Sequence, residues 1–562
     1  NNDVPAFFRP TENLYILALD SISTFDRHGG HKALNLFNEI QRLSNKGSLP
    51  PPSLRVLSTV VGSLAKTSGR GNVRRAHEIY QLILKKFELG ELSEQLNPRT
   101  LSALFRSILR STDKESGKFA LEVLKETSDF ARNHPNLVAP NTIVFNTILD
   151  GLARKELPDE AWETLELMVS LAKEGFSTTP DVVSFSCTAR ALSSAATPNT
   201  LHRTNSLVRS IMKLYETGEL IPDMQLFNIL LMSYKIASNQ EEGAAMNALR
   251  LLERLEELCK KDSNLTPEVL SYRTVCEALL KSKVPGSLAL VENVYLRAKS
   301  LADAGHISQL DRELCYAAIS AYARSPEEGS LEKAESIIEE MEYRRKHAQN
   351  AQNKPETPNT RVYNRMLFAY AGSGRSDQTI HVKNLFDRMM DAYENGDKNS
   401  QPNIHSYNSL ILAAAKSTSL ATREDFDLAL ASFKTLHSDN DTPSPNSATY
   451  EYFVQACTRL LPAGSVQTKL VHQAFKLCRQ RGLVTPLIVR QTHSIIPALK
   501  DELEKSPGSS FTTMGDKVAA IQQRDFDMIP LSWCSGIPQD YRKRRVDLGG
   551  AHKHQGRHDV SA

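Results

Sequence analysis

One phrase recurs along the chain and limits what it can fold into: a proline, an acid or amide, three further residues, an aromatic, one variable residue and an apolar stretch. Pro140-Asn141 leads to Phe145-Asn146, Pro180-Asp181 to Phe185-Ser186, Pro222-Asp223 to Phe227-Asn228, and Pro267-Glu268 to Tyr272-Arg273. Pro358-Asn359 leads to Tyr363-Asn364, Pro402-Asn403 to Tyr407-Asn408, and Pro445-Asn446 to Tyr450-Glu451. A weaker copy, Leu310-Asp311 to Cys315-Tyr316, fills the gap, and Pro486-Leu487 opens a degenerate last one. Successive variable residues stand from 40 (Asn146 to Ser186) to 48 residues apart (Tyr316 to Asn364). So loose a period still marks stacked supersecondary units, which grow without one central core.

Each unit reads as two helices. Proline followed by Asp or Asn is a turn and a helix cap, and the residues after it, such as 144–154, carry an apolar face at helical spacing. A short polar break follows, then a longer amphipathic stretch such as 160–171 that ends near Gly175. Neither helix of such a pair can bury its apolar stripe alone, so neighbouring pairs must stack into a superhelix. Upstream, residues 54–66 fit the same phase with Ser58 at the variable place. Residues 101–110 resemble another first helix whose register is open by one residue, and residues 14–37 read as a first pair. These boundaries predict an N-terminal helical cap over 1–53, a repeat array over 54–500, and a linker with a basic, poorly ordered tail over 501–562.

Composition adds exclusions. Lys plus Arg exceed Asp plus Glu by only 68 to 65, a net charge of +3, so affinity for an anionic polymer must come from local patches. Seven cysteines lie far apart with no Cys-x-x-Cys pair, which suits buried thiols in a reducing compartment. No run has the length of apolar sequence that a membrane span requires. The start at Asn1, without Met, leaves localisation unread. Thirteen residues from the start of each first helix stand Lys66, Arg154, Lys281, Arg324, Lys416, Arg459 and Lys500. On a concave face they form a rail for backbone phosphates; cations near a helix C-terminus are also favoured by its dipole. The tail holds Tyr541 to Arg545 and three histidines, with no carboxylate or cysteine at ligand spacing, so no metal and no cofactor is expected.

In combination and in phase, Pro-Asn-Thr-Ile-Val-Phe-Asn-Thr-Ile-Leu-Asp-Gly-Leu-Ala-Arg (140–154) and Pro-Asn-Ile-His-Ser-Tyr-Asn-Ser-Leu-Ile (402–411) resemble the pentatricopeptide-repeat family. The resemblance covers most of residues 54–500, with repeats longer than the family's. It implies an all-α, right-handed superhelical α-solenoid of helix-turn-helix repeats that binds single-stranded RNA. Each repeat then addresses one base through its variable residue and the residue closing the repeat. The pairs carried over are Asn146 with Asp181, Ser186 with Asp223, Asn228 with Glu268, Asn364 with Asn403, and Asn408 with Asn446. By the family's code the first suggests U, the second G and the last two pyrimidines. Arg273 with Asp311, Tyr316 with Asn359 and Glu451 with Leu487 match no familiar combination. Residues three before the variable one should flank the bases; Ile143, Val183 and Leu270 suit this, whereas Gln225, Glu313, Arg361 and His405 do not.

Asn and Asp beside proline are also what a helix cap requires without any ligand. The aromatic before the variable residue reads as core rather than as a stacking platform. No deaminase-like His-x-Glu with Cys-x-x-Cys, aspartate cluster, Ser-His-Asp set or phosphate loop stands out, so the chain is expected not to be an enzyme. The resemblance implies a role in mitochondrion or plastid, in transcript stabilisation, processing, splicing or translation. It also implies single-stranded RNA as partner, organellar ribonucleoprotein components as a further class, and no membrane or small-molecule substrate. The alternative is a protein-binding helical scaffold or a structural subunit of an organellar ribonucleoprotein such as a ribosome.

Overall fold

A computed structural model describes residues 12–25, 29–66, 70–111, 115–194, 197–241, 243–347, 356–418, 423–438, 443–493, 495–496 and 531–538, and no strand occurs among them. The chain falls into two compact units, Asn1–Ser308 and Gln309–Ala562. In the first unit the first helices of the pairs are α1 (Glu12–Phe25), α3 (Leu54–Lys66), α5 (Pro98–Arg110), α7 (Thr142–Arg154), α9 (Val182–Leu192), α11 (Met224–Ala237) and α13 (Val269–Lys281). Their partners are α2 (Gly29–Asn45), α4 (Arg70–Glu88), α6 (Ser116–Asn133), α8 (Pro158–Lys173), α10 (Thr200–Glu216), α12 (Ala244–Leu258) and α14 (Ser287–Asp303). The second unit continues the alternation with α15 (Arg312–Tyr322), α16 (Ser330–Lys346), α17 (Thr360–Gly372), α18 (Gln378–Glu394), α19 (Ile404–Lys416), α20 (Arg423–Ser438), α21 (Ser447–Leu460), α22 (Ser465–Gln480) and α23 (Pro486–Thr492).

The apolar spacing explains the stacking. On α7, Val144, Phe145, Ile148, Leu149 and Leu152 are all buried, a stripe too wide for one partner helix to cover. First helices therefore pack on the first helices of the neighbouring pairs, from α1 through α13 in the first unit and from α15 through α23 in the second. Each second helix packs against the first helix of its own pair. The run Leu410 to Ala415 in α19 is buried throughout, its three alanines serving a helix contacted by α17, α20 and α21. Most aromatics of the repeated phrase are core: Phe145, Phe227, Tyr272, Tyr363 and Tyr450 are among the largest fully buried side chains, and Tyr407 is half-buried. All seven cysteines are free thiols, six of them buried, and burial pushes Cys315 and Cys457 up to about 12. They serve as small apolar side chains.

Two registers differ from the repeated phrase. Helix α5 is capped by Asn97, whose side chain accepts from the Arg99 N–H, and Pro98 follows the cap as the first helical residue. Helix α23 is capped by Thr485 with Pro486 following in the same way. Proline without an N–H is tolerated at that first position, so cap-then-proline is as sound a start as proline-then-cap. The residue closing the repeat before α23 is therefore Thr485, not Leu487.

Residues 531–538 pack against the end of the second unit. Trp533, in the short helix α24 (Leu531–Cys534), meets the Phe475 ring edge-on at 5.7 Å, and the Arg479 guanidinium lies 4.5 Å from its centroid. Val484 N–H donates to the Trp533 carbonyl at 2.9 Å, and Gly536 N–H to the Gly482 carbonyl at 2.9 Å. Gly482 has φ +66°, and a Cβ there would come within 2.8 Å of the Gly536 nitrogen. A side chain at Gly482 thus adds about 1 kcal/mol of left-handed strain to a steric conflict. In a Trp162→Phe background, which leaves Trp533 as the reporter, Gly482→Ala is expected to shift tryptophan emission to the red as residues 531–538 detach. An unshifted spectrum contradicts this packing.

Candidate nucleic-acid interface

The residue capping each first helix sits five places before that helix's variable residue, and the caps Asp181, Asn403, Asn446 and Thr485 also bond to the variable residue of the preceding pair. Asn141, Asp181, Asp223, Asn359, Asn403 and Asn446 each accept from a backbone N–H in the first turn of their helix. The amide of Asn146 donates to both carboxylate oxygens of Asp181 at 3.1 Å. The amide of Asn364 donates to Asn403 Oδ1 at 2.9 Å, and that of Asn408 to Asn446 Oδ1 at 3.0 Å. Three of the five carried-over pairs are therefore joined directly while their caps still serve the helix. Asn228 is half-buried and accepts from the Ser271 hydroxyl at 2.7 Å, beside an exposed Glu268. Ser186 is half-buried, and exposed Asp223 is engaged as a cap to the Leu226 N–H at 2.8 Å.

In the second unit these pairs line a groove of about 770 Å³ whose walls include Tyr316, Asn364, Phe368, Asn403, Asn408 and Asn446. Asn408 is only 5% exposed and still lines it. An asparagine amide offers two N–H groups and two lone pairs. With one of each engaged inside the protein, a donor and an acceptor remain for the edge of a base.

The flanking positions divide into two kinds. Ile143 and Val183 project into solvent, 67% and 51% exposed, and Leu270 is half-buried. Ile143 and Val183 thus leave aliphatic surface open at the same place on two successive first helices. Between α15 and α17 the arrangement differs: Arg361 pairs with Glu313 at 2.8 Å and lies 3.9 Å over the ring of Tyr316. The place beside that variable residue is filled by protein. An exposed ion pair and a cation–π contact together hold it by about 1–2 kcal/mol.

Of the expected cationic series, Arg154, Lys281, Arg324, Lys416 and Arg459 are exposed in the last turn of their helices or just beyond. Arg154 pairs with Asp150, which also holds Arg190 at 2.7 Å, so two guanidinium groups share one carboxylate and the cluster keeps one net positive charge. Arg459 donates to the Ala415 carbonyl at 2.9 Å, bridging α21 to the end of α19. Lys281 and Lys416 have no carboxylate partner among the described residues. The side chain of Lys66 and all of Lys500 lie outside the described residues, as does the tail with Tyr541 to Arg545. The cap at Thr485 moreover puts residue 498 in the thirteenth place, so Lys500 leaves the series.

Sequence reading missed several residues. The cap at Asn97 adds exposed Arg110 to the cationic series and brings Ser58 with Asn97, and Ser102 with Asn141, into the pair register. The signal was present as Asn97-Pro98 in reversed order. Phe368, half-exposed on the groove wall, and Arg365 carried no signal, because no other unit has their like at those places. Arg365 is half-buried, donates weakly to the Ser320 carbonyl at 3.4 Å and has no carboxylate partner among the described residues. Burial, and after it the nearby Arg324 guanidinium, hold its pKa below the usual arginine range. Among the described residues no group of His, Cys, Asp and Glu could hold a metal ion, and no helix is long and apolar enough to cross a membrane.

A family model described as PPR repeat matches residues 143–171, which span α7 and most of α8 in the phase given above. A comparison with curated proteins finds no match. Solved structures similar to the chain include the pentatricopeptide repeat protein PPR10 from maize, at 14% identity over 97% of this chain and 77% of that one, with a TM-score of 0.35. PPR10 in complex with an 18-nt psaJ RNA element is similar at 16% identity over 97% and 80%, with a TM-score of 0.29.

A half-buried guanidinium beside a second cation is costly to the free protein. Arg365→Met, which keeps the stem and removes the charge, is expected to raise the thermal unfolding midpoint, by roughly the 1 kcal/mol of an unpaired buried polar group. A lowered midpoint in a thermal melt contradicts this electrostatic reading.

Proposed function

We propose that this pentatricopeptide-repeat chain binds single-stranded RNA along the exposed face of its first helices and acts in organellar RNA metabolism by occupying a transcript, without catalysis. The observation that carries the reading is the succession of amide pairs on one groove wall, Asn364 with Asn403 and Asn408 with Asn446. Each leaves a donor and an acceptor free, and single-stranded bases expose the edges such groups address. Lys416 and Lys281, without a carboxylate partner among the described residues, and Arg365 within the groove supply cations for the backbone. The organellar setting, mitochondrion or plastid, and the outcome for the transcript rest on the resemblance to the family.

The pairs support reading in separate short runs rather than along the full chain. In the second unit Arg361 over Tyr316 closes the place before Asn364, so reading there starts at Asn364. In the first unit Asn146 with Asp181 is the directly joined pair among the carried-over ones, flanked by Ile143 and Val183.

Purified protein binding to a random single-stranded RNA pool across a salt series tests this. The expected result is enrichment of a motif containing pyrimidines, with affinity falling as salt rises. Asn408→Ala is expected to weaken the enriched RNA about tenfold, as loss of a base-edge hydrogen bond with its partner left unpaired. Lys416→Ala is expected to weaken all sequences alike and to reduce the salt slope by about 0.7. Absence of binding at low salt refutes the proposal.

A further inference from the structure

The amides of the variable asparagines are held from a second side, by a residue outside the pair. Ser184 Oγ donates to Asn146 Oδ1 at 2.6 Å, Ser271 to Asn228 at 2.7 Å, Ser406 to Asn364 at 2.6 Å, and Thr449 to Asn408 at 2.8 Å. Each hydroxyl is the third helical residue of the following first helix. Each also accepts from the backbone N–H of its own cap residue: Asp181 at 3.1 Å, Glu268 at 3.2 Å, Asn403 at 3.0 Å and Asn446 at 3.1 Å.

We infer that this hydroxyl is a third reading residue: it fixes the orientation of the asparagine amide and so the order in which donor and acceptor meet a base. The inference rests on the RNA reading proposed above. Its physical basis is a two-sided lock. At Asn146, Asn364 and Asn408 the carboxylate or amide oxygen of the cap faces Nδ2, and the hydroxyl proton faces Oδ1. Rotating the amide by half a turn sets Oδ1 against the cap oxygen, acceptor on acceptor, and leaves the hydroxyl proton without its partner. The cap oxygen is the other acceptor in reach, 2.9 Å from Ser184 and 3.4 Å and 3.2 Å from Ser406 and Thr449, longer in every case than the contact to asparagine.

A hydroxyl in the first turn also closes a capping box, and that role alone predicts it without regard to the preceding unit. The chain shows otherwise. Asn146, Asn228, Asn364 and Asn408 are followed at this place by Ser184, Ser271, Ser406 and Thr449, whereas Ser102, Ser186, Arg273, Tyr316 and Glu451 are followed by Val144, Leu226, Leu314, Val362 and Ile488. The hydroxyl tracks the asparagine it holds; Ser58, followed by Thr100, is the one unit that departs from the rule.

Enrichment from a randomised single-stranded RNA pool by the full-length protein, its Ser406→Ala and Thr449→Ala variants, and Ser406→Thr tests the inference. Ser406→Ala is expected to lose about fivefold of the base preference at the one position facing Asn364, with the other positions nearly unchanged. Thr449→Ala moves that loss to the neighbouring position facing Asn408, and Ser406→Thr restores the wild-type preference. Unchanged preference in Ser406→Ala, or an equal weakening at every position in both alanine variants, overturns the hydroxyl's role while leaving RNA binding standing. Failure of the wild-type protein to enrich any base overturns both.

Discussion

A helix begins with backbone N–H groups that have no partner within it, and the short polar side chain that satisfies them here also serves the unit before. Asp181, Asn403 and Asn446 cap their own helices and accept from the variable asparagine of the preceding first helix. One side chain thus fixes the start of a helix, the register in which two first helices stack, and the orientation of the group left facing solvent. Asn141 and Asn359 begin their helices in the same way. The cap reading and the functional reading of these residues are one arrangement seen from two sides.

Stacking follows from the same start. Once the cap sets the phase, the aromatic four places on turns inward, as Phe145 and Tyr450 show, and in α17 and α19 the variable residues Asn364 and Asn408 line the groove. The buried stripe on each first helix is wide enough to need neighbours on several sides. Electrostatics add an opposing demand. Among the described residues Arg365 is kept half-buried without a carboxylate and Lys416 has no carboxylate partner, while Arg361 is neutralised by Glu313. Cationic character is retained in some places and cancelled in others, which divides the face into stretches suited and unsuited to a polyanion.

Much of this was legible in the sequence because proline, cap, aromatic and variable residue fall at fixed intervals in most units. The helix pairs, the inward aromatics and the three directly joined pairs, Asn146 with Asp181, Asn364 with Asn403 and Asn408 with Asn446, all follow from that phase. The reading slipped where proline and cap exchange places, at Asn97-Pro98 and Thr485-Pro486, since both orders start a helix equally well. Other features depend on neighbours far away in the chain. The hydroxyls of Ser184 and Thr449 meet asparagines 38 and 41 residues earlier, a relation that appears only once helix is laid against helix. The plug made by Arg361 and the docking of Trp533 have the same origin, as contacts between segments with no shared pattern.

The central claim is that single-stranded RNA lies on the first helices, against the paired amides. Photocrosslinking of a 4-thiouridine-substituted RNA pool to the purified protein, with the modified peptides located by mass spectrometry, tests it directly. The account predicts adducts on α7, α9, α17, α19 and α21, concentrated around Ile143, Val183 and Phe368. Adducts confined to the second helices, such as α8, α18 or α20, would contradict it.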